Sequence, residues 1–403
     1  MPERSGAPVS VRRAAVSIYG PSAIWGVGQG AIVPVVALSA RELGASVGVA
    51  AFVVALSGLG ALAGDLPAGA LAHRVGERRA MLWSTGVAAL ALVGCVVAAG
   101  VVQLGLSVAA LGAASAVWGL ARQAYLAEVV PVGQRARALS TLGGTHRIGV
   151  FLGPFAGAWA IGRWGLDAAY GLHAVAAAMA CVVLLAVREV PRPAVAEQPS
   201  ASTWTVVRAH LPVLRTLGLG VVVLAAVRAS RQVVLPLWAE HRGLDATATS
   251  LIFGASGAVD MLLFYPAGHV MDRLGRRWVA VPSTALLGLG HLVLPFTTGA
   301  GGILGVALLL GLANGAGSGI VMTLGADASP AVGRSQFLGA WRLCADAGNA
   351  GGPLVVSFAT AVASLATGVW VMGLVGLLGA AAMHRWAGAV DPVRRARPAG
   401  RSG

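Results

Sequence analysis

Gly268-His269-Val270-Met271-Asp272-Arg273-Leu274-Gly275-Arg276-Arg277 is a short, basic, glycine-punctuated stretch between two long apolar runs. An earlier copy, Gly69-Ala70-Leu71-Ala72-His73-Arg74-Val75-Gly76-Glu77-Arg78-Arg79, stands 199 residues upstream. The same offset carries Gly44 to Gly243, Pro67 to Pro266, Pro131 to Pro330, Arg135 to Arg334, and Gly153-Pro154 to Gly352-Pro353. An offset that holds through loops as well as apolar runs means that the two halves are copies of one unit, with almost no net insertion between them. Duplicated membrane units of this kind are how two-lobed transporters are built.

The surrounding composition sets the solvent. With 57% hydrophobic and 11% charged residues and a mean hydropathy of +0.79, the chain lacks the polar surface to cover a water-soluble globule. Apolar segments of about 20 residues, enough to cross the hydrocarbon core, occur twelve times, near 14–38, 47–71, 80–101, 104–128, 138–162, 167–187, 216–239, 247–271, 278–298, 301–326, 335–360 and 364–386. These are spans 1 to 12. The predicted fold is an all-α membrane protein of two pseudo-symmetric six-helix bundles, residues 1–190 and 216–388. A polar, Pro- and Ala-rich linker at 191–215 joins them, and a basic tail follows at 389–403.

Arginine gives the orientation, since the chain has no lysine. If the N-terminus is cytoplasmic, the inner segments collect most arginines, among them Arg12, Arg13, Arg74, Arg78, Arg135, Arg273, Arg276, Arg277 and Arg334. The outer loops hold only Arg41, Arg163 and Arg242. That asymmetry predicts a multi-pass protein of the cell membrane with both termini inside. The net charge of +14 follows from this topology and points to anionic lipid rather than nucleic acid. Arg12 and Arg13 before an apolar run resemble a secretory signal, but the run is too long and has a counterpart in the second half, so cleavage is not expected. Cys95, Cys181 and Cys344 sit in separate apolar segments, so neither a disulfide framework nor a metal site is predicted. Without lysine, P-loop, pyridoxal and retinal Schiff-base chemistry are excluded; no cofactor and no enzymatic activity are expected.

The quoted stretch at 268–277 resembles the loop between helices 2 and 3 of the major facilitator superfamily, placed here between spans 8 and 9. The resemblance implies that fold, and a cytoplasmic gate built from Gly268, Asp272, Arg273, Gly275, Arg276, Arg277 and their copies Gly69, Arg74, Gly76 and Arg78. In the first copy His73 stands at the family's aspartate and Glu77 at its first late arginine, with Asp65 and Glu128 as the acids able to substitute. Glu128 and Asp327, again 199 apart, are the expected partners of the loop arginines, together with Arg135 and Arg334 as gate residues. Gly149, Gly153 and Pro154 resemble the helix-5 motif of drug:proton antiporters in this superfamily. Gly348, Gly352 and Pro353 repeat its kernel in span 11, where it also reads as a helix-packing device. The glycine strings near 26–30, 58–60 and 311–317 are read as helix-packing surfaces, not nucleotide loops.

Charges inside a bilayer cost at least a few kcal/mol each, so their placement is informative. Asp260 lies twelve residues before Asp272, and Asp346 twelve after Arg334. At 1.5 Å per residue each is about 18 Å from its helix end. Gln29, Arg122, Arg147, Arg228, Arg231, Arg342 and Asn349 fall in the same layer, on spans 1, 4, 5, 7 and 11, and are the expected substrate-cavity residues. Arg342 and Asp346, one turn apart, can neutralise each other. Asp260 and Asp346 are the candidate proton carriers, with static ion pairing as the alternative. The arginine excess hints at an anionic group on the substrate, which ion pairs and water can also absorb. Trp25, Trp118, Trp238 and Trp341 are expected to line an apolar cavity, or a membrane interface in the case of Trp238.

The expected activity is secondary active transport by alternating access, most directly proton-coupled efflux of a small amphiphilic or anionic compound. Uptake and non-transporting ligand sensing are the rivals. The expected partners are a small-molecule substrate, protons and the lipid bilayer, with the chain acting as a monomer.

Overall fold

A computed structural model describes residues 11–130, 134–186, 203–330 and 332–389. The first half of the linker, 191–202, and the basic tail from residue 390 lie outside them. The described residues are mostly helical, with no strand among them. Among the described residues, nine helices are long and apolar enough to cross a membrane, or ten when the bent pair Ile18–Ile32 and Val35–Glu42 counts as one span. That pair is span 1, bent by 41° at Pro34, whose ring removes a backbone donor from the helix ladder. The helices Arg135–Trp164 and Arg334–Val362, spans 5 and 11, have the length to cross but not the composition. They carry Arg135, Arg137 and Arg147 in one case, and Arg334, Arg342 and Asp346 in the other. Together these elements are consistent with twelve spans. Span 10 is also broken: Ala300–Ala316 ends near Gly317, Gly319 takes a left-handed φ of 82°, and Ile320–Ala328 continues.

The repeat is written into the backbone. Gly76 and Gly275, 199 apart, adopt φ of 94° and 104° with extended ψ, a region open essentially to glycine alone; Gly76 caps the start of the helix Glu77–Val96, and Gly275 caps the end of the helix Ala246–Leu274. An alanine at Gly275 is expected to cost about 1–3 kcal/mol. Thermal melting of purified Gly275→Ala should show the drop, and an unchanged midpoint would contradict it.

Packing divides the chain into two units, Met1–Val33 with Leu59–Val195 and Pro34–Gly58 with Ala196–Gly403. Residues 34–58, assigned from sequence to the first bundle, thus pack with the second unit. The reason is local. Gly48 lies against Ser357 and Ala361, Ser357 Oγ donates to the Gly48 carbonyl at 2.8 Å, and Gly58 lies against the backbone of Ala350. Arg41 Nε donates to Glu240 Oε1 at 3.0 Å, and Arg41 also bonds the Ala45 carbonyl.

Within the first unit, span 1 packs on span 5 through paired glycines. A Cβ added at Gly149 would collide with the Ala23 carbonyl, and one at Gly153 with the Val27 carbonyl. Within the second unit the same contacts recur 199 positions on, with Gly348 against Val222 and Gly352 against Ala226. The motif glycines therefore act as packing surfaces in both copies, where small residues let helix backbones touch.

Candidate functional site

The polar centre of the second unit is assembled on spans 7, 8 and 10, the helices Leu219–His241, Ala246–Leu274 and Ala300–Ala316. Gly311 and Gly315, one turn apart on span 10, lie against the backbone carbonyls of Ser256 and Asp260 on span 8, where any Cβ would collide. This close approach carries Asn314 to Asp260: its Nδ2 donates to Asp260 Oδ2 at 2.5 Å. Arg231 on span 7 places Nη2 at 3.8 Å from the same oxygen, an ion pair too long for a hydrogen bond. Arg231 Nη1 donates instead to Ser256 Oγ at 3.2 Å, Ser256 Oγ donates to the Ala307 carbonyl at 2.6 Å, and the guanidinium lies 5.4 Å from the Phe253 ring centre. Arg228 bonds the Gly317 carbonyl at the break in span 10. Next to this network His291 is fully buried, held by Ser230 Oγ at 2.9 Å and the Leu287 carbonyl at 2.8 Å.

The Asp260 side chain keeps 21% of its surface and Arg231 10%. The carboxylate is thus withdrawn but reachable, with one amide donor and one offset cation.

Span 11 brings Arg342 Nε to 3.5 Å from Asp346 Oδ2, so the expected one-turn pair is present, with Arg342 half exposed. Asn349 is exposed, as is Gln232. In the first unit Gln29 is half-buried and Arg147 exposed. Arg122 is buried at 8% exposure. Its guanidinium lies 4.8 Å over the Trp118 ring, Trp118 stacks on Trp25 at 4.5 Å and 9°, and His173 meets Trp25 edge-on at 5.3 Å. Trp25, Trp118, Trp238 and Trp341 keep 1 to 4% of their surface, so they are packed inside their units and do not line an open cavity. Trp238 Nε1 donates to Thr297 Oγ1 and Trp341 Nε1 to the Val321 carbonyl, which explains how indoles are tolerated there.

At the loop end of the second unit, Arg276 Nε donates to Asp327 Oδ2 at 2.8 Å, and its Nη1 donates to Asp272 Oδ1 at 3.2 Å and to the Met271 carbonyl at 2.9 Å. Partial burial works against the Arg276 charge, but the hydrogen bonds and charges of Asp327 and Asp272 outweigh it and raise its pKa. Arg277 reaches His384. In the first unit Arg78 donates to the Leu184 and Leu185 carbonyls, capping the last turn of span 6, and Arg135 donates to the Val130 carbonyl. The counterparts of Asp272, Arg276 and Asp327 are His73, Glu77 and Glu128, so the first copy cannot build the same Arg-centred triad. Arg74 and Arg334 are exposed.

Asn314 and Ser256 are the members of the network that sequence reasoning missed. The signal was present in the Gly311/Gly315 spacing, which was read only as packing and brackets an amide that a bilayer would otherwise leave unsatisfied. Among the described residues, no group of three or more His, Cys, Asp or Glu side chains could hold a metal ion.

The family model described as Major Facilitator Superfamily matches residues 22–230 and 217–403. No relative was found among curated protein sequences. Among solved structures, a bacterial homolog of the human lysosomal transporter Spinster, in an inward-facing and unoccupied conformation, aligns at a TM-score of 0.77 with 13% identity, covering 98% of this chain and 100% of that one. A POT peptide transporter in complex with alafosfalin aligns at 0.75 with 14% identity over 94% and 95% of the two chains. A D-xylose-proton symporter aligns at 0.72 with 17% identity over 93% and 97%. At these identities the likeness is one of fold.

Proposed function

The chain belongs to the Major Facilitator Superfamily, and from that premise we propose that it is a proton-coupled secondary transporter that exports a small amphiphilic or anionic compound by alternating access, with Asp260 as its proton carrier. The observation that carries the reading is the Asp260 carboxylate itself, placed deep in an apolar helix, bonded by Asn314 and offset from Arg231. Proton loading weakens its hold on both partners. Proton release restores it, so occupancy of this carboxyl is tied to the packing of spans 7, 8 and 10. Asp346, beside Arg342, is the second titrating candidate. The arginine asymmetry supports placement in the cell membrane with the Arg276 triad and both termini on the cytoplasmic side. The likeness of span 5 to the antiporter motif favours export over uptake.

Proteoliposomes with an imposed pH gradient test the direction. With the loop 272–277 facing the bath and the lumen acidic, a fluorescent amphiphile should accumulate in the lumen in exchange for protons. Accumulation only when the bath is the acidic side would show uptake instead.

A further inference from the structure

The first unit contains a buried cation that the proton-carrying network does not use. Arg122 keeps only 8% of its surface, yet its Nε and Nη1 meet no hydrogen-bond acceptor, and neither does the Nε1 of Trp118 one turn away. Among the described residues no carboxylate pairs with it. The Trp118 face under the guanidinium offers some compensation, worth about 2 kcal/mol when desolvated. An unsatisfied buried donor costs about 1–3 kcal/mol, more when charged, and folded proteins keep few of them. Contrast the second unit, where the buried Arg231 has Asp260 and Ser256. The first unit holds a buried cationic site that no side chain of its own answers.

What would fill it is an acceptor with negative charge. The guanidinium fork matches the two coplanar oxygens of a carboxylate, which one arginine can neutralise, whereas a tetrahedral dianion calls for more donors and charge than the site has. We propose that Arg122 is the docking point for the carboxylate of a monoanionic substrate. This inference rests on the transporter reading and names the substrate class for it.

Calorimetric titration of the full chain in zwitterionic lipid nanodiscs tests it, using 2-naphthoate, the neutral isostere 2-naphthamide, and inorganic phosphate. Naphthoate should bind at least about tenfold more tightly than naphthamide, a difference of about 1.4 kcal/mol, and more tightly than phosphate. Arg122→Gln should erase the preference, and Arg122→Lys should keep part of it. Because Arg122→Gln removes an unpaired buried charge, its melting temperature should match or exceed that of wild type, which separates loss of binding from loss of fold. Equal binding of acid and amide, absence of naphthoate binding, or naphthoate binding unchanged in Arg122→Gln would overturn the proposal and leave buried water as the occupant. Flux of the same compound separates the two readings. Binding through Arg122 without movement across proteoliposomes sinks the transporter and keeps the anion site. Proton-driven flux of a cationic amphiphile that ignores Arg122→Gln, with no naphthoate binding, does the reverse.

Discussion

Asp260→Asn is expected to reduce proton-driven flux in proteoliposomes by about tenfold or more, a barrier change of at least about 1.4 kcal/mol, while the protein still purifies as a folded monodisperse species. Asparagine keeps the shape of the side chain and an oxygen to accept the bond that Asn314 donates, but it has no proton to load and release. The substitution also strips Arg231 of its counter-charge. Breaking a buried ion pair by removing one partner costs about 3–5 kcal/mol. Here the cost should fall at the low end, because the pair is 3.8 Å apart and Arg231 keeps Ser256 and Phe253. A second variant divides stability from coupling. Arg231→Met with Asp260→Leu removes both charges and should recover the melting temperature while leaving flux as low as in Asp260→Asn. If Asp260→Asn transports at wild-type rates across a pH gradient, the carrier assignment is wrong and the pair is structural.

The second large effect is on folding, and it separates two neighbouring glycines. A Cβ at Gly352 would collide with the Ala226 carbonyl on span 7, whereas at Gly351 no heavy atom lies within 4 Å. Gly352→Leu should therefore drive spans 7 and 11 apart, with a loss that exceeds the usual 1–3 kcal/mol for overpacking because the obstacle is backbone and cannot rotate away, on the order of enough to prevent recovery of folded protein. Gly351→Ala should be neutral or stabilising by about 1 kcal/mol, since alanine is the better helix former. Size-exclusion profiles and melting curves of the two variants, side by side, give the result. A folded, thermally normal Gly352→Leu would show that the helix contact is not as tight as described.

How much of this was legible beforehand follows from which interactions are local. The 199-residue offset was visible because it is a property of the chain alone, and the structure returns it in the φ angles of Gly76 and Gly275 and in the matched glycine contacts of spans 5 and 11. The Arg342–Asp346 pair was readable from helical spacing. The partner of Asp260 was not. It depends on how closely span 10 approaches span 8, which Gly311 and Gly315 decide across fifty residues of intervening chain, and depth counting assigns a layer without saying which side chains meet in it. The same limit applies to the tryptophans: their place in apolar spans is readable from the chain, but only packing shows that the rings turn inward. Span 10 breaks at Gly317–Gly319, where Arg228 takes the Gly317 carbonyl. A glycine string reads equally well as continuous helix, so the break left no mark in the hydropathy.

Arg41 and Glu240 are separated by 199 residues, the repeat offset, so this ion pair joins a position to its own duplicate. In a dimer of two identical half-length chains such a position faces itself across the twofold axis and presents the same residue from both sides: arginine against arginine or glutamate against glutamate. Opposite charges at that point are open only to a chain whose two copies are encoded separately. The pair is therefore younger than the duplication that gave the two copies separate coding, a mark of how the halves stopped being interchangeable.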